Sequence, residues 1–143
     1  MAYVDEAERY LTGTLLEWVA RRDHSWDFRF SNGSLAVEHI WRLWIDGKLV
    51  VTDREDGLSY GGPTVLDAEA MASELLVGRK ILAAFIDRET TDLRISFEGG
   101  ARLEVLTKSR ITSWTFSGPS FAFAAENGRV TDPGWFLSSA QRT

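Results

Sequence analysis

Between residues 26 and 30 apolar and polar side chains alternate strictly, Trp26, Phe28 and Phe30 against Asp27 and Arg29. The same alternation returns at Leu93, Ile95 and Phe97 against Arg94, Ser96 and Glu98. A period of two places successive side chains on opposite faces and predicts a half-buried strand in each segment. Both are followed by a turn signal, Asn32-Gly33 and Gly99-Gly100, where glycine supplies positive φ without steric cost. Returning strands follow at 35–38 and 103–106. Apolar runs at 15–20 and 81–86 precede the two hairpins and read as buried strands. After Trp44 and Trp114 the chain turns again, at Asp46-Gly47 and at Ser117-Gly118-Pro119, and reaches closing strands at 49–51 and 121–123. Ahead of each series lies a short acidic stretch with helix signals. Asp5, with Glu8 three places on, suits a cap, as does Asp67, or Thr64 with Asp67, and Gly13 and Gly78 suit the left-handed residue that closes a helix.

The two series share one order of elements. Matching landmarks lie 65 residues apart at Gly13 and Gly78 and at Asp27 and Asp92, drifting to 71 at Gly47 and Gly118 and at Gly57 and Gly128. We therefore expect an internal repeat of a helix plus a four-stranded antiparallel meander: residues 5–57, a linker at 58–63, residues 64–128, and a tail at 129–143. Such a meander has one face to bury, so the copies should pack as a sandwich or close as a barrel about a pseudo-two-fold axis. The expected class is α+β, predominantly antiparallel β, in one domain over residues 1–143, a length that suits one core.

The second series carries a resemblance. Its residues 76–81, the hairpin at 92–105, Ser113-Trp114 and Ser117-Gly118-Pro119 resemble a family of small, largely uncharacterised bacterial proteins, common in actinomycetes and known only as a domain of unknown function. That family shows a leucine and glycine before a strand, a Leu-x-Leu-x-Phe and Gly-x-x-Leu-x-Val hairpin, a Tyr-Glu-x-Trp motif and a Gly-Pro turn. Here Ile111-Thr112-Ser113-Trp114 keeps only the tryptophan of the third motif. The resemblance implies a structural framework and brings no catalytic residue with it.

Composition narrows the chemistry. No cysteine is present, which excludes disulfides, thiolate metal sites and thiol nucleophiles. Sixteen Lys and Arg against twenty-one Asp and Glu give a formal charge of −5, opposite to the usual footprint of nucleic-acid binding. The acidic start lacks the features of a secretory signal, and the longest apolar run, 81–86, is far short of the roughly 20 residues of a spanning helix. A cytoplasmic protein without a membrane span is expected. Neither a phosphate-binding glycine loop nor a Gly-x-Ser-x-Gly elbow occurs, and His24 and His39 do not have metal-ligand spacing, so no cofactor and no metal are expected.

Six tryptophans remain to be explained. Trp26, Trp44 and Trp114 read as core, the last two as a matched pair. Trp41 beside Arg42, and Trp135 in a Pro-Gly segment, are candidates for exposed anchors, because tryptophan and arginine dominate binding hot spots. The acidic run Asp53-Arg54-Glu55-Asp56 could meet a basic partner. Together Trp41, Arg42, Trp44, Asp53, Glu55, Asp56, Trp114 and Trp135 are the candidate binding residues. The leading expectation is a protein-binding module, immunity-like or antitoxin-like, that occludes a basic protein such as a toxin. A small-molecule pocket between the half-sheets, lined by Trp44 and Trp114, is the alternative. A third reading is an enzyme using His39 with Glu38 or Asp53. An exposed strand at 121–125 would further invite pairing with a second copy.

Overall fold

The computed structural model describes residues 2–38, 40–108 and 110–132. Among these, helix α1 (Ala2–Leu11) leads into β1 (Leu16–Arg21), β2 (Trp26–Phe30), β3 (Gly33–Val37), β4 (Trp41–Ile45) and β5 (Lys48–Thr52). Helix α2 (Ala68–Leu76) then leads into β6 (Ile81–Ile86), β7 (Leu93–Phe97), β8 (Ala101–Val105), β9 (Thr112–Gly118), β10 (Phe121–Glu126) and β11 (Arg129–Thr131). The strands form two antiparallel sheets, one of six in the order β1-β2-β3-β9-β10-β11 and one of five in the order β5-β4-β8-β7-β6. The protein is thus α+β and mostly antiparallel. No described helix is long and apolar enough to cross a membrane.

The predicted alternation sets the inner faces. Val19, Phe28, Leu35, Phe116 and Phe123 form one continuous rung of the six-stranded sheet. Ala84, Ile95, Leu103, Leu43 and Val51 form the matching rung of the five-stranded one. All but Ala84 are buried, and Trp41 bridges the layers by meeting Trp26 and Phe28 edge-on at 5.1 and 5.7 Å. Each helix covers one edge of each sheet. Helix α1 packs on β6 and β11 and α2 on β1 and β5, using Val4, Ala7 and Leu11, and Ala68, Ala72 and Leu76, at helical spacing. Covering the edges in this way withholds free backbone donors and acceptors from other chains.

The sheets also meet through backbone hydrogen bonds. Gly13 N–H donates to Ile81 O at 2.9 Å while Gly78 N–H donates to Leu16 O at 2.8 Å, and Ile81 and Leu16 donate in turn to Thr14 O and Arg79 O. Where β3 passes toward β4 and β8 toward β9, Glu38 N–H donates to Ser113 O and Leu106 N–H to Ile40 O.

Four details depart from the sequence expectations. Strands β4 and β9 were not foreseen, and each series is a three-stranded meander followed by a hairpin that joins the other sheet. Helix α1 starts at Ala2, so Asp5 lies in its first turn, whereas Asp67 does cap α2 by accepting from Ala70 N–H at 3.0 Å. The turn at Asn127-Gly128, with φ of 50° and 73°, continues into β11. Strand β10 consequently lies between β9 and β11, and the short β11 pairs with its residues 124–126. Finally, the β2–β3 turn is centred on Ser31-Asn32, not Asn32-Gly33. Gly33 is required for a different reason: a Cβ there would run into the carbonyl oxygen of Ser117 on the neighbouring strand.

Because that neighbour is backbone and cannot rotate away, Gly33→Ala is expected to destabilise the fold by about 1–3 kcal/mol, as overpacking does. Urea unfolding measures it, and an unchanged midpoint would contradict the close approach of β3 to β9.

Candidate protein interface

The outer face of the five-stranded sheet is built from the polar positions of the same alternation. One rung carries Phe85, Arg94, Glu104, Arg42 and Thr52, and the next carries Ala83, Ser96, Arg102, Trp44 and Leu49. At the β4–β8 ladder these rungs form a four-residue cell. Trp44 spans one diagonal, its indole N–H donating to Glu104 Oε1 at 2.6 Å. Arg42 and Arg102 occupy the other diagonal, with guanidinium carbons 5.6 and 5.0 Å from the centre of the indole, so that two cations lie against one ring.

Glu104, only 12% exposed, also receives Arg42 Nη2 at 3.1 Å and faces Arg94 Nε at 3.7 Å. Two guanidinium groups therefore share one carboxylate while Arg102 adds a third cation beside the indole, and the face is locally cationic on a protein of net charge −5. The Nε–H groups of Arg42 and Arg102 are buried without an acceptor among the described residues. Phe85, 45% exposed, has Arg88 and Arg94 at 5.6 and 5.7 Å, and Leu49 and Leu82 stand exposed nearby.

The predicted acidic cluster serves the fold. Arg21 pairs with Asp56, Nη2 to Oδ1 at 2.8 Å, and with Asp67 at 2.9 Å, while its backbone N–H donates to Glu69 at 2.7 Å. Asp56 also accepts from Ala68 N–H at the start of α2. Glu55 accepts from Thr52 N–H and from the Tyr60 hydroxyl, and Asp53 accepts from Trp41 N–H. The hydrogen bond from Arg21, with that from Ala68 adding to it, holds the Asp56 carboxyl below its ordinary range. For Asp67 the cap bond from Ala70 N–H is the larger cause and Arg21 the next. Arg21 is correspondingly pushed up by Asp56.

Two concave regions accompany these surfaces. An open groove of about 600 Å³ lies where the β2–β3 and β9–β10 turns meet the end of α1, with Tyr10 stacked on Phe121 at 4.2 Å. Asn32 donates to Tyr10 O there, and its Oδ1 is buried with no donor among the described residues. A polar cleft of about 420 Å³ holds Glu38, Asp53, His24 and Arg54. It brings Glu38 and Asp53 of the enzyme reading together; His39 lies outside the described residues. No described group of three or more His, Asp or Glu is placed to hold a metal ion.

The tryptophans redistribute. Trp41 is fully buried between the sheets and is no exposed anchor. Trp114 is buried as expected and donates its indole N–H to Thr91 O at 3.0 Å. Trp44 is not core: it stands on the outer face, and it and Trp114 line no common pocket between the sheets. Trp114 lies opposite Val37 on β3, and Trp41 lies opposite Val105 on β8. Trp135 falls outside the described residues. Arg94, Arg102, Glu104 and Phe85 complete the face and were not singled out from the sequence, although the alternation at 93–98 already turned Arg94 outward. Comparison with protein-family models, curated proteins and solved structures finds no match to this chain.

Asp56 and Asp67 titrate lower folded than unfolded. They favour the fold above the ordinary aspartate value of about 3.9 and cease to do so as pH falls through their depressed values. The melting temperature should therefore drop steeply below about pH 4. Asp56→Asn should lower it at neutral pH and flatten the acid limb; an unaltered acid limb would count against the Arg21 clamp.

Proposed function

We propose that this protein is a protein-binding module whose contact surface is the outer face of the five-stranded sheet, centred on Trp44, and whose partner offers an acidic segment. The observation that carries the reading is an internal comparison. The equivalent ladder of the six-stranded sheet, β3 with β9, has Ser34 opposite Ser117 and Ala36 opposite Thr115. The fold is thus compatible with small neutral residues at the place where the other sheet sets Trp44, Arg42, Arg102 and Glu104. Architecture does not demand the cluster, and its composition is that of a binding hot spot. Charge complementarity favours an acidic occupant. Two guanidinium groups already lie against the indole and compete with a nucleotide base for stacking on it, which favours protein over nucleic acid.

The comparison rests on a finer reading of the fold, that the two series are copies related by a pseudo-two-fold axis. The reciprocal hydrogen bonds of Gly13 and Gly78 support it, as do those of Glu38 and Leu106, and the placement of Trp41 and Trp114.

An immunity-like role toward a basic partner draws on different groups. Asp53, Glu55 and Asp56 are engaged within the fold, and exposed Glu17, Asp23, Glu74 and Glu89 would carry it. A second reading, small-molecule binding, is favoured by the groove beside Tyr10 and Phe121, where the buried Asn32 Oδ1 would accept from a ligand donor.

Selection of random peptides on the immobilised protein separates these readings. Acidic sequences should be enriched, and Trp44→Ala, folding normally, should weaken the selected peptides about thirtyfold, the scale of a 2 kcal/mol hot spot. Enrichment of basic peptides, or indifference to Trp44→Ala, would overturn the assignment.

A further inference from the structure

We infer, building on the reading above, that the occupant presents two carboxylates two residues apart on an extended segment, straddling Trp44, one for Arg42 and one for Arg102. Arg102 is the more telling group. Its guanidinium lies over the indole at 5.0 Å, and its Nε–H is buried with no acceptor among the described residues. Arg42 gives one Nη2 donor to Glu104 and likewise leaves Nε–H without an acceptor. A guanidinium carries five donors in a rigid fork that a carboxylate matches side-on through Nε and one Nη. A carboxylate arriving from solvent would satisfy both donors together, at the cost of a modest turn of the side chain.

The spacing of the two positions sets the spacing of the ligand. Arg42 and Arg102 are diagonal neighbours across the β4–β8 ladder, which places them about 7–8 Å apart at the backbone. In an extended chain residues i and i+2 point the same way and lie about 6.7 Å apart. An acid-x-acid segment running across the ladder therefore meets both forks with one side chain between them turned away. Adjacent acids would point to opposite faces and offer only one.

Fluorescence anisotropy tests this with labelled nine-residue peptides that are otherwise neutral, one with a central Glu-Thr-Glu, one with Glu-Glu-Thr, one with Gln-Thr-Gln, and with inorganic phosphate as competitor. Glu-Thr-Glu should bind at least tenfold more tightly than Glu-Glu-Thr of equal charge. Arg102→Lys and Arg42→Lys, which keep the charge and remove the fork, should each lose that preference, and the Trp44 indole N–H resonance should shift on titration. Equal affinity for the two acidic peptides, or lysine variants that discriminate as the parent does, would overturn the inference. Competition by millimolar phosphate matching that of Glu-Thr-Glu would also overturn it, by pointing to a single oxyanion. If none of these peptides binds while Trp44→Ala still abolishes binding of the selected peptides, the two-carboxylate inference falls and the interface stands. If Trp44→Ala leaves those peptides unaffected, the interface itself falls.

Discussion

Neither half of this chain can complete a sheet on its own. The meander β1-β2-β3 stops at a strand whose outer edge is filled by β9, and the meander β6-β7-β8 stops at a strand filled by β4. Everything else follows from that exchange. It places the chain crossings at Glu38 and Leu106, it sets Trp41 and Trp114 at corresponding depths on facing layers, and it leaves each helix to seal the side where two unrelated edges come together. Without cysteine, cohesion comes from apolar burial and backbone pairing, and Trp41 joins the layers through its edge-on contacts with Trp26 and Phe28.

The exchange has local costs. Thr91, a β-branched residue, is held at a φ of 63° and buried, a conformation that ordinarily costs of the order of 1–3 kcal/mol. Its carbonyl accepts the Trp114 indole N–H, so the strained turn satisfies one of the deepest polar groups. The Trp41 indole N–H and Asp27 Oδ1 find no partner among the described residues. Gly33 and Gly118 answer a second demand, since a Cβ on Gly33 would strike the Ser117 carbonyl of β9 and one on Gly118 the Asn32 carbonyl of the β2–β3 turn.

How much of this was legible depended on distance along the chain. The hairpins β2–β3 and β7–β8 could be read because strict alternation and a nearby turn are local signals. Strand β4 could not, because Trp41, Leu43 and Trp44 put apolar side chains on both faces and blur the period. Strand β9, rich in Ser and Thr, resembles a loop in composition. The acidic run at 53–56 was visible as charge, while its use was not, since Arg21 and Ala68, which consume Asp56, are 35 and 12 residues away. The cell around Trp44 was further out of reach. Arg42 and Trp44 could be nominated as a pair, but Glu104 lies 60 residues on, and only the pairing of β4 with β8 brings them together.

The plain ladder of the six-stranded sheet has a consequence of its own. Ser34, Ala36, Thr115 and Ser117 are small side chains on a central, pre-paired ladder. Installing a different cluster there would give the molecule two unlike decorated faces turned back to back, with its interior untouched.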